Sequence, residues 1–352
     1  MGATIQLGRR KVGNGHPVCI VAELSANHNQ NFDQAVRIVR AAQEVGADAV
    51  KLQTYTPDTI TFRSDRDCFR IHGGTLWDGR TLYDLYGEAH TPWEWQPKLK
   101  ELCSDLGLEL FSSAFDPSAV DFLEKMGVPA HKVASPELVD LPLIEKMART
   151  GKPLILSTGM ATVDEIEEAI AVARAAGATQ IAVLRCVSSY PAPPDEMNLR
   201  SIPDMARRFR TPVGLSDHSP GIAVSVAAVA LGASLIEKHL TWSRAEGGLD
   251  SAFSLEPQEF RSLVDAIRCT ERSLGRVQYG PTPHEVITKS FRRSLFVVQD
   301  MKKGEMFTAQ NVRSIRPADG LHPRHLREVI GRRAANDIER GTPVSWELVD
   351  KS

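Results

Sequence analysis

Eight short apolar segments alternate with helical patterns within residues 18–240, and this alternation limits the possible folds most strongly. The intervening segments space their apolar residues at helical intervals; in one of them Thr162 and Glu165 form a predicted capping box. Eight strand-and-helix repeats match a (β/α)8 TIM barrel, and an open doubly wound sheet is the alternative. The predicted strands are residues 18–24, 47–53, 108–113, 130–135, 153–158, 180–186, 212–217 and 234–240.

Two histidines occupy matching places in the last two of these strands. His218 follows the segment 212–217, and His239 lies near the end of 234–240. The stretch AVSVAAVALGA between them is typical of a helix, so the two strands form a βαβ unit and are expected to be neighbours. Both imidazoles then lie at the carboxyl edge of the sheet, where α/β proteins bind ligands. Because imidazole is a common metal ligand, the pair predicts a divalent metal site.

Other polar side chains at the predicted strand ends have a consistent chemistry. Lys51 and Lys132, with several serine hydroxyls, are typical of a site for phosphate or carboxylate. The histidines, a carboxylate and Gln53 suit an ion such as Mn²⁺, Co²⁺ or Zn²⁺. Taken singly, Lys51 could form a buried ion pair with Glu23, and Lys132 could be a rim residue. Taken together, these residues indicate metal-assisted chemistry on an anionic, phosphorylated small molecule.

The sequence changes character after residue 275. Residues 276–290 are polar and marked by proline and glycine, which predicts a linker between a barrel at 1–275 and a small domain at 291–352. The small domain contains a weak repeat, since 300–312 and 337–349 share aspartate, glycine and valine at equal spacing. This repeat predicts a pseudo-symmetric β domain.

Composition excludes several classes of function. The net charge of −2 provides no overall field for nucleic acid or an acidic membrane surface, and no run of 18 apolar residues predicts a membrane span. The five cysteines are dispersed without a CxxC pair, which indicates a reducing, cytoplasmic setting. Cys186 lies in an apolar run and is expected to be a small core residue.

Seven motifs, in this order, closely resemble the sialic acid synthase family. They are VAELSANHNQ, DAVKLQTYTPD, KVASPEL, LSTGMAT, RCVSSYPAP, GLSDHSPG and IEKHLTW, each at a different predicted strand end. The tail with IRPADGLHP resembles the antifreeze-like SAF (β-clip) domain of that family. Within the family, the insertion TLWDGRTLYDLYGEAHTPWEW and the RPADGLHP tail look most like pseudaminic acid synthases.

The resemblance implies a condensation of phosphoenolpyruvate with a 2,4-diacetamido-2,4,6-trideoxy hexose, giving pseudaminic acid and phosphate. It implies a divalent metal, Mn²⁺ foremost with Co²⁺ or Mg²⁺ as alternatives, and a domain-swapped homodimer in which Arg316 enters the partner's site. N-acetylneuraminate and legionaminate synthesis are the alternatives within the family, and Ser188 replaces an asparagine typical of sialic acid synthases. The implied catalytic residues are Glu23, Lys51, Lys132, His218 and His239, the last two as metal ligands, and the implied substrate-binding residues are Gln53, Ser113, Ser135, Ser157, Ser188, Tyr190, Ser216, Asp250 and Arg316.

Three readings from other classes of protein stay open at this point. Lys51 or Lys132 could form a Schiff base, as in an aldolase, if burial lowers its pKa. A metal-dependent hydrolase is a weaker alternative, because the end of the first strand lacks paired histidines. A barrel without activity could bind carbohydrate or another partner through residues 290–350.

Overall fold

The computed structural model describes residues 3–351, which form two compact units that divide between Gly275 and Arg276. The first unit is a closed barrel of eight parallel strands in sequential order, and it confirms all eight predicted strands to within about two residues at each end. A hairpin of β1 (Thr4–Leu7) and β2 (Arg10–Gly13) precedes it. The barrel strands are β3 (Cys19–Glu23), β4 (Ala49–Thr54), β5 (Glu109–Ala114), β6 (His131–Val133), β7 (Leu154–Ser157), β8 (Ile181–Cys186), β9 (Val213–Asp217) and β10 (Leu235–His239).

Helices follow the barrel strands and cover their outer faces. Thr162 caps the helix that follows β7, and its reciprocal hydrogen bonds with Glu165 form the predicted capping box. Across the described residues, no helix combines the length and the apolar character needed to cross a membrane. The helices are α1 (Phe32–Glu44), α2 (Pro57–Ile60), α3 (Leu82–Ala89), α4 (Gln96–Asp105), α5 (Pro117–Met126), α6 (Leu141–Ala148), α7 (Val163–Ala175), α8 (Ser201–Phe209), α9 (Ala223–Ala230) and α10 (Pro257–Leu274).

The N-terminal hairpin was not predicted, and it covers the amino ends of the barrel strands. Its buried side chains Ile5, Leu7 and Val12 pack with interior residues of the barrel such as Phe111. Gly8 adopts a φ of 56° in the tight turn between the two strands, a conformation that favours glycine. Because the hairpin covers one end of the barrel, the opposite, carboxyl end is the one available for a ligand.

The second unit contains α11 (Pro283–Thr288), β11 (Ser294–Val297), β12 (Val312–Ile315) and α12 (Leu326–Val329). Helix α11 lies within the predicted linker. The two copies of the predicted repeat pair with each other, since the backbone N–H groups of Met301 and Ile338 each donate to the other's carbonyl. Asp300 accepts a hydrogen bond from the Arg340 N–H, and Asp337 accepts one from the Lys303 N–H. These reciprocal contacts give the unit the predicted pseudo-symmetry.

Candidate active site

A cavity of about 410 Å³ lies at the carboxyl ends of the barrel strands. It receives side chains from several different strands and from the loops after them, as catalytic sites of such barrels do. Two of the predicted residues do not line it: Glu23 is fully buried, and Arg316 belongs to the second unit. The predicted residues that line it are Lys51, Gln53, Ser113, Lys132, Ser135, Ser157, Ser188, Tyr190, Ser216, His218, His239 and Asp250.

Lys51 on β4 lies between two buried carboxylates. Its Nζ atom is 2.7 Å from Glu23 Oε2 and 3.7 Å from Glu237 Oε1, and it also donates to the Ser113 hydroxyl at 3.2 Å. Burial alone lowers the pKa of Lys51, but the two carboxylates raise it overall, so Lys51 is held as a cation. The structure thus contains the buried ion pair of Lys51 with Glu23 that the sequence suggested. The same ammonium group also lines the cavity.

The two carboxylates differ in their ease of ionisation. Burial raises the pKa of Glu23, and Lys51 offsets this only in part. Burial opposes ionisation of Glu237 as well, but Lys51 and Lys132 together lower its pKa overall. Glu23 also accepts a hydrogen bond of 3.0 Å from the Gln53 amide, which connects it to the cavity. Two neighbouring carboxyl groups whose pKa values are pushed apart suit separate acid and base roles.

Lys132 on β6 supplies a second buried ammonium group, with 1% of the residue exposed. Its Nζ atom donates to Ser157 Oγ at 2.5 Å and to the Val133 carbonyl at 3.1 Å. Among the described residues it forms no ion pair, and burial lowers its pKa. A buried cation that lacks a carboxylate partner is suited to receive an anionic group of a ligand.

Gly159 leaves space for two hydroxyl groups beside Lys132. A Cβ atom at this position would lie 2.1 Å from Ser188 Oγ and 2.8 Å from Ser135 Oγ. Ser135 Oγ in turn accepts a hydrogen bond of 3.0 Å from the Gly159 N–H. The glycine therefore lets two hydroxyls and a backbone donor approach closely, which is the kind of lining that a phosphate requires.

The imidazoles of His218 and His239 lie side by side, with ring centroids 5.3 Å apart. Strands β9 and β10 pair directly, as the βαβ pattern predicts. His218 Nδ1 lies 2.9 Å from the Val187 carbonyl, an acceptor, so this nitrogen carries the proton and Nε2 keeps its lone pair. Burial lowers the pKa of His239 well below its usual value, which keeps that ring neutral. Burial alone lowers the pKa of His218, but Cys186 and the Val187 carbonyl raise it overall. Each ring is suited to metal coordination in its neutral form.

The sugar-contacting positions implied by the resemblance lie around the two imidazoles. The Tyr190 ring is 4.5 Å from the His218 ring and 5.2 Å from the Phe253 ring. Asp250 accepts a hydrogen bond from the Ser25 hydroxyl, and burial raises its pKa despite this contact. These side chains place an aromatic surface and a buried carboxyl group within reach of one ligand.

Comparison with known proteins gives the family of the chain. The model of the NeuB family matches residues 38–279, and the model of the SAF domain matches residues 292–350. The chain belongs to the NeuB family. It is 44% identical to the pseudaminic acid synthase of Helicobacter pylori, over 96% of this chain and 99% of that protein. It is 32% identical to the N,N'-diacetyllegionaminic acid synthase of Legionella pneumophila, over 99% of this chain and 100% of the relative.

A solved structure shares the architecture of this NeuB-family chain. The crystal structure of N-acetylneuraminic acid (sialic acid) synthetase from Leptospira borgpetersenii serovar Hardjo-bovis, in complex with citrate, is 31% identical and has a TM-score of 0.73. The match covers 82% of this chain and 95% of that one. The similarity supports the assignment of the fold as a (β/α)8 barrel with a SAF domain.

The residues of this NeuB-family site fit a metal held by two imidazoles. His239 Nδ1 and Glu237 Oε2 are buried and have no hydrogen-bond partner in the part of the chain that the structure describes. Within residues 3–351 no group of three or more histidine, cysteine or acidic side chains is arranged as a complete metal site. The imidazoles of His218 and His239 therefore fit an ion that takes its other ligands from water or substrate.

Several cavity residues were not among the predicted site residues, and Glu237, Ser25 and Cys186 are three of them. Glu237 lies two residues before His239 on β10 and therefore on the same face of the strand, so strand periodicity could have identified it. Ser25 follows the first barrel strand and adopts a φ of 48°. Cys186 was predicted to be a core residue, but it lines the cavity and its sulfur lies 3.9 Å from His218 Nδ1. Its apolar neighbours in the sequence belong to the strand, whose last residue reaches the cavity.

Proposed function

We propose that this chain condenses phosphoenolpyruvate with a 2,4-diacetamido-2,4,6-trideoxy hexose of the altrose type, giving pseudaminic acid and inorganic phosphate. The observation that carries the proposal is the placement of Lys132, a buried cation without a carboxylate partner, in one cavity with the His218–His239 pair. Lys132 is suited to bind the anionic phosphoenolpyruvate, and the two histidines are suited to the sugar that carries the aldehyde. The higher identity to the pseudaminic than to the legionaminic acid synthase supports this choice of sugar.

The lysines divide the binding of phosphoenolpyruvate between its two anionic groups. Lys132 with Ser135 and Ser157 forms a cationic part of the cavity in which, among the described residues, no carboxylate pairs directly with the ammonium group, and this suits the phosphate. Lys51 with Ser113 is partly neutralised by Glu23 and suits the carboxylate. The open-chain sugar then places its aldehyde next to His218 and His239.

The reaction balances without an oxidant or reductant. The methylene carbon of phosphoenolpyruvate attacks the aldehyde carbon and forms a carbon–carbon bond, and the aldehyde oxygen takes up a proton. Water adds to the former enol carbon, and Glu23, which its contact with the Gln53 amide connects to the cavity, orients the water or removes its proton. The bond between that carbon and the bridging oxygen breaks, so phosphate leaves while Lys132 and the hydroxyls stabilise its charge.

His218 and His239 would hold the divalent metal, Mn²⁺ or else Co²⁺ or Mg²⁺. When bound, such an ion supplies Lewis-acid polarisation of the aldehyde oxygen. The chain's own contribution is to align the His218 ring through the Val187 carbonyl and to keep the His239 ring neutral through burial.

The active unit is proposed to be a cytoplasmic, domain-swapped homodimer in which Arg316 completes the partner's site. Arg316 is exposed and forms no ion pair among the described residues. Residues 276–352 carry 14 lysines and arginines against 9 acidic residues, whereas residues 1–275 carry 28 against 35. This opposite charge favours association of the small unit of one subunit with the barrel of another.

Incubation with phosphoenolpyruvate and a panel of acetamido sugars tests the proposal. The expected result is phosphate release with the 2,4-diacetamido trideoxy sugar and a product of the mass of pseudaminic acid. Preference for N-acetylmannosamine or for the legionaminic precursor contradicts the assigned sugar. In ¹⁸O-labelled water the label should enter the keto acid and not the phosphate; label in the phosphate contradicts the bond cleavage described above.

A Schiff-base aldolase is the second candidate, because burial lowers the pKa of Lys132 and so favours its nucleophilic, neutral form. Borohydride reduction in the presence of pyruvate distinguishes the two. The proposed synthase forms no covalent adduct, whereas an aldolase gains the mass of a reduced pyruvyl group on Lys132 or Lys51.

A further inference from the structure

The cavity has two chemically different sides. The strand ends provide ammonium groups, hydroxyls, carboxyls and imidazoles. The segment between β4 and α4 provides an opposing surface that is almost entirely apolar. We call this surface the apolar wall; it consists of Ile71, Trp77, Leu82, Leu85, Tyr86 and Ala89.

The segment that provides the apolar wall is not itself apolar in composition. Residues 54–91 contain ten charged side chains of aspartate, glutamate, lysine or arginine, and none of them lines the cavity. Instead six of them form ion pairs with one another, which join Arg80 to Glu88, Arg63 to Asp84 and Arg70 to Asp65. The fold therefore directs aromatic and aliphatic side chains of this segment, together with Thr75, into the cavity and keeps its charged side chains out of it.

Contacts from other elements hold the wall in place. The Trp77 indole N–H donates to the Leu249 carbonyl at 3.3 Å, and the Trp77 ring lies 5.8 Å from the ring of Tyr190. Tyr86 packs edge-on against the buried Tyr55 ring at 5.5 Å. The Thr75 hydroxyl donates to Asp78 at 2.6 Å and so is already engaged.

We propose that Ile71, Trp77 and Leu82 form the surface that selects the deoxygenated, methyl-bearing end of the sugar. This inference rests on the proposed function, because it takes the reacting aldehyde to lie at the two histidines. The far end of the open chain, which carries the acetamido group at carbon 4, the hydroxyl at carbon 5 and the methyl group at carbon 6, then extends toward the side of the cavity opposite the strand ends. A methyl group at carbon 6 loses water there without cost.

A hydroxyl at the same carbon would lose its hydration and find little to bond with. Of the wall residues only Trp77 and Tyr86 have a polar group, and the Trp77 N–H already donates to the Leu249 carbonyl. Thr75 beside them already donates to Asp78. Hydrophobic pockets discriminate against an added hydroxyl by about 10²-fold in kcat/KM. The wall thus selects 6-deoxy diacetamido sugars over their 6-hydroxy counterparts.

Two sugars that differ only at carbon 6 test this inference in the full-length protein. The wild type should favour the 2,4-diacetamido-2,4,6-trideoxy hexose over its 6-hydroxy analogue by about 10²-fold in kcat/KM. Ile71→Thr and Leu82→Asn place a hydrogen-bonding group on the wall, and Ile71→Val matches the volume of Ile71→Thr. At least one of them should narrow that ratio about tenfold, while KM for phosphoenolpyruvate stays unchanged, since its binding groups lie on the strand ends.

Two control variants separate this role from a general loss of packing. Ile71→Val keeps the wall apolar and should keep the ratio, and Leu76→Ala alters an exposed neighbour that does not line the cavity. A wild type without preference between the sugars overturns the inference, as does an equal loss of kcat/KM for both sugars in both polar variants. Phosphate release with no sugar of the panel is a different result, and it overturns the proposed function.

Discussion

Lys238 Nζ lies 2.9 Å from a carboxylate oxygen of Asp217, and neither side chain is exposed. The two residues face each other across β9 and β10, and each precedes one of the cavity histidines. Alternation along the strands directs this ion pair to the outer face of the barrel, where Ser219 and Ser225 also donate to Asp217. The pair therefore fixes the register of the two strands that carry His218 and His239.

Removal of one partner of this ion pair should destabilise the protein strongly. Lys238→Met leaves Asp217 ionised and buried, and such changes cost about 3–5 kcal/mol. The double variant Asp217→Asn/Lys238→Met should lose less than the sum of the two single variants, because neither charge is then left alone. Urea denaturation of the four proteins measures these values, and additive losses would show that the two side chains are not coupled.

Lys132→Met should weaken the binding of phosphoenolpyruvate more than that of the sugar. A hydrogen bond to a charged group contributes about 1.5–3 kcal/mol, so KM for phosphoenolpyruvate should rise roughly 10- to 100-fold. Ser157→Ala removes one hydroxyl from the same group and should have a smaller effect in the same direction. The matched control is Ser189→Ala, whose hydroxyl donates to the Pro191 carbonyl and does not line the cavity. An unchanged KM in Lys132→Met contradicts this role.

Chelation should abolish turnover, and added Mn²⁺ should restore it. His218→Ala and His239→Ala should each bind Mn²⁺ at least tenfold more weakly, about 1.4 kcal/mol, because each removes one of two imidazole ligands. Electron paramagnetic resonance of free Mn²⁺ measures this affinity without relying on activity. His16→Ala, at an exposed position in the N-terminal segment, is the control and should bind as the wild type does. Wild-type affinity in both histidine variants removes the proposed metal site.

Glu137 should make folding stability depend on pH. Burial raises its pKa to about 7, and its Oε2 atom has no hydrogen-bond partner among the described residues. The folded protein therefore binds a proton that the unfolded chain has released, so this group's contribution to stability falls as pH rises from about 4.5 to 7. Glu137→Gln removes this cost, and its stability relative to wild type should increase by up to about 3 kcal/mol between pH 5 and pH 8.

Urea denaturation of the Glu137→Gln variant and the wild type at both pH values measures this difference. Glu168→Gln, on the exposed face of α7, controls for a change of one carboxylate to an amide. A stability difference between Glu137→Gln and wild type that does not change with pH contradicts the raised pKa.

The sequence predicted those features that depend on local pattern. The eight barrel strands are continuous apolar segments because parallel strands are buried on both faces, and β4, for example, is almost entirely buried. The hairpin of β1 and β2 was missed because each strand has only four residues. The ion pair of Asp217 with Lys238, and the contacts of Glu237 with Lys51, depend on which residues face each other across strands, and that register is not a local property of either segment.

Mixed dimers test whether Arg316 acts in the partner's site. When phosphoenolpyruvate is kept well below the raised KM expected for Lys132→Ala, Lys132→Ala and Arg316→Ala should each have little activity as homodimers. In a swapped heterodimer, the Arg316→Ala subunit has an intact barrel and receives Arg316 from the Lys132→Ala subunit, so one of the two sites is complete. Unfolding and refolding of the two variants together should therefore restore activity, to about a quarter of wild type if subunits mix at random. If each Arg316 serves its own barrel, no site in the mixture is complete and activity stays at the level of the separate variants.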